Sequence, residues 1–477
     1  MNAVSSKRIS ISFLNPPLSW IPICGFIFVL TVLIIFGAGG FLRLFFIAGS
    51  FAVGVILYFQ KTHLYLGFAW WMWFLTPLVR RLIDLQAGWE DPNIVLLAPF
   101  LVTAVSFLTF IRKLPTCKTG SGLLFIFPMA AVIYALLVGL VKGQDDIETV
   151  IIPFLNWFAP IAFGFHIFSD WRDYPNLRQN TQRVFLWCVL ITGFYGILQF
   201  LVAPVWDQFW MENAPINTIG EPEPFEIRVF STMNSPGPFA SVLTAGLLLL
   251  LNCIGPLVIP AYTFGYLSFL LSSARGAWGG WIIGLMCLVT NLKPKLQMRL
   301  VLVATVVMLF VIPLTFVEPF SEVIYSRFDT ITNLQGDVSL WERQNRYNRI
   351  LGLALVQWLG QGMGGNPEAH IDSGILDMLF TLGWFGTIPY FFAIVALIMG
   401  TFQYFETRFD TFMATSRAIV LGTFAQLGLA TPTVGLTGVV FWGFLALTLA
   451  GHQYHLHQTA LQERDLSVEK ANKLEKV

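Results

Sequence analysis

The sequence predicts an all-α, polytopic transmembrane protein, and three observations predict it. The chain of 477 residues is 56% hydrophobic but only 12% charged, whereas soluble domains carry about 25% charged residues. Its 45 phenylalanines and 16 tryptophans suit the aromatic belts found where helices leave a bilayer. Its apolar residues also fall into long runs, and a spanning helix needs roughly 17–25 of them.

Candidate runs lie near 18–39, 42–59, 63–79, 93–111, 121–141, 149–169, 184–203, 236–253, 256–274, 276–291, 298–316, 372–403, 417–433 and 435–451. They predict about 12–14 transmembrane helices, since several are short for a bilayer core of about 30 Å. Gly383, Gly386 and Pro389 interrupt the long 372–403 run, so its first part can form a separate interfacial or re-entrant segment. The chain divides into N-terminal helices (1–203), an outer loop (204–235), a middle group of helices (236–316), a large outer loop (317–371), C-terminal helices (372–451) and a charged tail (452–477).

The net charge of +1 gives no footprint for nucleic acid. Cys24, Cys117, Cys188, Cys253 and Cys287 lack Cys-x-x-Cys spacing and read as core or lipid-facing residues without a disulfide framework. The first apolar run follows Lys7 and Arg8, is long enough to span and lacks a small-residue cleavage site, so no cleavable signal is expected.

Basic residues of short loops concentrate on the cytoplasmic side. Placing both termini in the cytoplasm collects Lys7, Arg8, Lys61, Arg112, Lys113, Lys118, Arg172, Arg178, Arg183, Lys293, Lys295, Arg299, Arg408, Arg417 and the tail on that side. The opposite side then carries arginine almost alone, with Lys142 the exception. Arginine offers a planar five-donor fork that grips phosphate bidentately and stays charged. Arg43, Arg80 and Arg81 read more simply as anchors at lipid headgroups.

The two outer segments exceed the roughly 12–15 residues beyond which loops are usually functional or disordered. In the second, SLWERQNRYNRILGLALVQWLG predicts an amphipathic helix with a Ser339/Glu342 capping box and a stop at Gly360. Arg343, Arg346 and Arg349 crowd its first half. Arg275, in LSSARGAWGGWIIGL, falls between two runs and hence at the outer rim, with Gly276, Gly279 and Gly280 leaving room for a helix or ligand beside it. His370, in GGNPEAHIDSG, is the one histidine on the outer face, where it can act as a base or donor near neutral pH. The tail histidines His452, His455 and His457 lack a partner cysteine or loop, and no metal is expected.

Residues 228–240, RVFSTMNSPGPFA, open a further apolar run. Pro236 and Pro238 suit a first helical turn, and Asn234 suits its cap. Arg228 beside such a helix start would make an anion site.

Four segments in order resemble the O-antigen ligase and polysaccharide polymerase family of membrane glycosyltransferases. They are RVFSTMNSPGPFA (228–240), SSARGAWGGW (272–281), the stretch from SRFDTITNLQGDVSLWERQNRY to LGQGMGGNP (326–367) and AHIDSGILDMLFTLGWFG (369–386). The resemblance covers about residues 225–400. It implies transfer of a glycan from an undecaprenyl diphosphate carrier to an acceptor hydroxyl, on the periplasmic face of the bacterial inner membrane and without cofactor or metal. The partners it implies are the lipid-linked oligosaccharide and the bilayer, with other polysaccharide assembly or export proteins as candidates. The sequence agrees in having no outer Asp-x-Asp and no Gly-x-x-x-x-Gly-Lys.

By resemblance Arg228 and Arg275 hold the diphosphate and His370 binds or deprotonates the acceptor. Asp372 orients His370 or serves as the base itself, and Arg343, Arg346 and Asn234 are secondary substrate contacts. The exit His370-Ile371-Asp372-Ser373-Gly374 replaces the His-Asn-aromatic pattern of ligases, and Ser235-Pro236-Gly237-Pro238 replaces Asn-Pro-Asn. Polymerase is therefore preferred, with ligase the alternative. A transporter or flippase is the rival from another class, since it suits the same number of spans; repeats and midplane charges would favour it.

Overall fold

The computed structural model describes residues 18–113, 120–142, 147–214, 219–291, 297–298, 350–365, 373–403 and 410–474. Its regular elements are all helical. The first group is α1 (Ile21–Ile35), α2 (Gly39–Gln60), α3 (Thr62–Ala87), α4 (Ala98–Ala104), α5 (Phe107–Lys113), α6 (Ser121–Leu124), α7 (Ile126–Val141) and α8 (Ile147–Ser169). Then come α9 (Tyr174–Val202), α10 (Val205–Asn213), α11 (Pro236–Leu250), α12 (Val258–Leu271), α13 (Arg275–Asn291), α14 (Gly374–Gly400), α15 (Thr411–Phe424) and α16 (Gly435–Leu474). Among the described residues seven helical stretches are long and apolar enough to cross a membrane, so the chain is a multi-pass membrane protein.

One boundary differs from expectation. The 204–235 segment is not all loop, because α10 occupies its start. The tail begins as a continuation of α16, which runs unbroken for 40 residues to Leu474. The 372–403 run is interrupted as expected, at Gly383, where φ is +64° and two helical segments meet across a kink, here labelled together as α14; Gly386 and Pro389 stay helical, as a Pro at 389 removes only one amide donor. The 298–316 run, apart from Met298, lies outside the described residues. Cys24, Cys188, Cys253 and Cys287 are free thiols.

The centre of the bundle is α11. Its residues Phe239–Leu250 are buried on every side, as expected of a helix that is apolar all round and surrounded by others. It packs against α9, α12, α13, α15 and α16. Small residues let these helices approach closely, the usual basis of packing within a membrane. A Cβ on Gly193 would lie 2.8 Å from the Phe264 carbonyl carbon, and one on Gly280 would lie 2.7 Å from the Gln426 amide nitrogen. Between α3, α8, α9 and α16 the space is filled by Trp70, Phe163, Phe185 and Phe444, with Trp70 edge-on to Phe163 at 5.2 Å and to Phe185 at 5.1 Å.

An extended strap, residues 357–365, lies between α7 and α14. In an unbroken α14, the amides of Trp384 and Phe385 would bond the carbonyls of Phe380 and Thr381, four residues back. The bend at Gly383 separates these partners, and the strap satisfies all four. Gln361 N and Gly362 N donate to the carbonyls of Phe380 and Thr381 at 2.7 and 3.1 Å. Trp384 N and Phe385 N donate to those of Gln357 and Trp358 at 3.1 and 3.2 Å. From the other side Met363 N reaches the Ala135 carbonyl at 3.0 Å and Tyr134 Oη that of Leu359 at 2.9 Å. Irregular backbone within a bundle must be paired in this way. Glycine is obligatory at the crossing, since a Cβ on Gly360 would stand 2.5 Å from the Gly383 amide nitrogen.

The strap also corrects the expected amphipathic helix. The part described is helical over 350–355. It therefore ends before Gly360, which turns the strap with φ +72°. Ser339, Glu342, Arg343, Arg346 and Arg349 lie outside the described residues.

Candidate functional site

The loop that ends in RVFSTMN is folded into the bundle and held there by side chains. An isolated bridge pairs Gly220 with Ile227, and Arg228 N donates to the Ile219 carbonyl at 2.8 Å. Beyond it Val229, Phe230, Ser231, Thr232 and Met233 are fully buried. Gln199 Oε1 accepts from the amides of Phe230 and Ser231 at 3.1 and 2.8 Å. Ser231 Oγ donates to the Thr192 carbonyl and Thr232 Oγ1 to that of Phe74, both at 2.6 Å. Ser231 has φ +52°, a strained conformation for a residue with a Cβ, which persists only where the surroundings over-determine it.

Arg81 closes this network. It is completely buried and pairs with Asp207, also buried. It donates to the Ser231 carbonyl at 2.5 Å and lies over the Phe230 ring at 5.0 Å. Asp207 in turn accepts from Tyr195 Oη at 2.7 Å and Gln199 Nε2 at 2.8 Å. Arg81 is therefore no headgroup anchor, and Arg43 and Arg80 are likewise ion-paired to a buried carboxylate. These two share buried Asp84 at 3.3 and 3.1 Å, with Asn93 Nδ2 as its third donor at 2.8 Å. The sequence conceals these pairs because each arginine lies at the end of an apolar run, where lipid contact is the simplest expectation.

The clamp delivers Arg228 to the α12–α13 junction. Val229 N donates to the Leu271 carbonyl at 3.2 Å. Arg228 Nη2 donates to the carbonyls of Ser273 and Ser272 at 3.2 and 3.4 Å. Ser272 is the C-cap of α12, so the guanidinium sits at the negative end of that helix. Ser273, at φ +52°, turns the chain, and α13 begins two residues later at Arg275. One sequence-predicted site residue, Arg228, is thus held at the turn from which the other, Arg275, opens α13.

The third described candidate, Asn234, has a different place from the one expected. The N-cap of α11 is Ser235, in extended conformation, and no side chain caps the helix. Asn234 is one residue outside, and its buried Oδ1 accepts no hydrogen bond among the described residues. Pro236 does occupy the first turn. The third turn of α11 meets the first turn of α13 through Thr244 Oγ1, 3.3 Å from the Ala277 carbonyl.

The glycines beside Arg275 differ in the room they leave. A Cβ on Gly276 would sit 3.6 Å from Leu429 Cδ1, and one on Gly280 would collide with the Gly422 carbonyl of α15. One on Gly279 would meet open space. His370 and Asp372 lie outside the described residues. Gly374, which follows them, donates its amide to the Ala430 carbonyl at 3.0 Å. Asp377, in the same first turn of α14, is hidden in the sequence by the apolar run around it; it accepts from Thr381 and Thr431. No protein-family model matches this chain and no curated protein matches it in sequence.

Proposed function

We propose that the chain is a membrane glycosyltransferase that moves a glycan from an undecaprenyl diphosphate carrier to an acceptor hydroxyl, polymerising exopolysaccharide or O-antigen repeats. The observation that carries this reading is the meeting of Arg228 with the turn that leads into Arg275. Two arginines at one rim suit a diphosphate, which they bind by charge-assisted bonds and stabilise as it leaves. In this reading His370 binds or deprotonates the acceptor, Asp372 orients it or is the base, and Arg343, Arg346 and Asn234 contact substrate. The reading places the site on the periplasmic face of the inner membrane, with both termini cytoplasmic.

Asp-Ser-Gly at 372–374 favours polymerase over the ligase alternative. The bend in α14 is the one observation that favours a transporter, since broken helices commonly bind transported ions. Its backbone groups, however, are taken by the strap and not offered to a ligand.

The test is carrier-lipid analysis in a strain lacking the gene. Accumulated single lipid-linked repeats mean a polymerase, and long lipid-linked chains not joined to lipid A mean a ligase. Arg228→Ala and Arg275→Ala should each abolish polymer while protein still reaches the membrane. Wild-type polymer in the Arg275 variant would sink the diphosphate assignment.

A further inference from the structure

The carboxylates drawn into the bundle are not alike. Asp84 and Asp207 are sealed and ion-paired with arginines. Asp377, in the first turn of α14, makes no ion pair among the described residues and is only half-buried. Its neighbours are hydroxyls: Thr381 Oγ1 donates to Oδ1 at 3.3 Å and Thr431 Oγ1 to Oδ2 at 3.1 Å. A carboxylate has about four acceptor positions, so these two hydroxyls aim it and leave capacity for another donor. An ionisable group within a membrane bundle is costly to keep, and such groups generally serve a function.

Its position connects it with the arginine turn. Leu429 packs at Gly276, next to Arg275, while Thr431 two residues on holds Asp377. Between them the Ala430 carbonyl accepts from Gly374 N at 3.0 Å. One short segment, 429–431, therefore touches both the start of α13 and the start of α14. Cationic donors at one end suit phosphate, and an aimed carboxylate at the other suits a hydroxyl.

We infer that Asp377, held by Thr381 and Thr431, receives the hydroxyl of the acceptor sugar and takes its proton; the inference rests on the glycosyl-transfer reading above. The acceptor oxygen forms a bond to the anomeric carbon as the bond from that carbon to the carrier's phosphate oxygen breaks. The hydroxyl proton passes to the Asp377 carboxylate. The carrier diphosphate leaves with the bonding electron pair, toward Arg228 and Arg275.

The experiment complements the gene-deletion strain with full-length variants and measures polymer per copy of membrane-inserted protein, together with the lipid-linked glycan that co-purifies with it. Asp377→Asn keeps shape and removes charge. Its polymer should fall about a hundredfold or more, the scale of a lost general base, with lipid-linked glycan still co-purifying. Arg275→Ala should lose both. Wild-type polymer in Asp377→Asn beside an inactive Arg275→Ala overturns the Asp377 assignment alone; wild-type polymer in Arg275→Ala overturns the diphosphate assignment, and wild-type polymer in the uncomplemented deletion strain overturns the glycosyl-transfer reading. If Asp377→Asn does not accumulate, Thr431→Val decides: a fall of polymer at normal glycan retention supports the role, and wild-type polymer overturns it.

Discussion

The clamped loop before α11 and the strap beside α14 solve the same problem by different means. Each is irregular backbone lodged among membrane-spanning helices, and each must satisfy its amides and carbonyls without water. The loop is held by side chains: Arg81, Asp207, Gln199, Thr232 and Ser231 tie its backbone to α3, α9 and α10. The strap is held by backbone, through ladder-like bonds to α14 and close contact at Gly360 and Gly383. A side-chain clamp fixes a loop through a few of its residues and leaves others, such as Arg228, to reach out to a neighbouring turn. A backbone clamp demands glycine and leaves little else to vary.

The comparison breaks most sharply at Gly360. Gly360→Val places a branched side chain at positive φ against the Gly383 amide, and a loss above about 4 kcal/mol is expected for strain and overlap together. Protein should fail to accumulate in the membrane, measured by immunoblot and by melting in detergent. The next effect is at the clamp. Arg81→Met strands a buried carboxylate at Asp207 and should destabilise by about 3–5 kcal/mol. Adding Asp207→Leu should recover part of that loss in a double-mutant cycle, while polymer stays low because Arg228 is no longer held. Equal stability but full polymer in the double variant would show that the clamp does not position Arg228. The smallest effect is at the rim of the strap, where Lys142 Nζ donates to the Gly360 carbonyl at 2.7 Å and Gln361 Oε1 at 3.0 Å. Lys142→Met should change stability by about 1 kcal/mol in the same detergent melt, the scale of an ordinary exposed hydrogen bond.

These two regions also separate what the sequence could show from what it could not. Apolar runs located the spans, and the α14 interruption was legible because glycine and proline act locally. Pro236 marked the start of α11 for the same reason. The partners were not legible. Asp207 is 126 positions from Arg81, and nothing near either residue signals the pair. Gly360 reads as a helix stop because its contact with Gly383 depends on two distant segments meeting. Asn234 reads as a cap from composition alone, whereas backbone geometry gives that position to Ser235. Of the candidate site, Arg228 and Arg275 were legible as arginines in motifs, and the bonds from Arg228 to the turn before Arg275 were not. Asp377 was hidden by its apolar neighbours.

The bend at Gly383 bears on how the chain is made. Residues 374–382 form roughly 13 Å of helix and 384–400 roughly 25 Å at about 1.5 Å per residue, and neither crosses a hydrocarbon core of about 30 Å alone. Released from the insertion machinery without the strap, α14 would expose two amides and two carbonyls to lipid. The strap is translated just before α14, and its other docking partner, α7, long before that. Synthesis order thus supplies the missing hydrogen-bond partners in time, and α14 becomes a checkpoint in biogenesis: it settles only in a chain whose preceding strap has already docked.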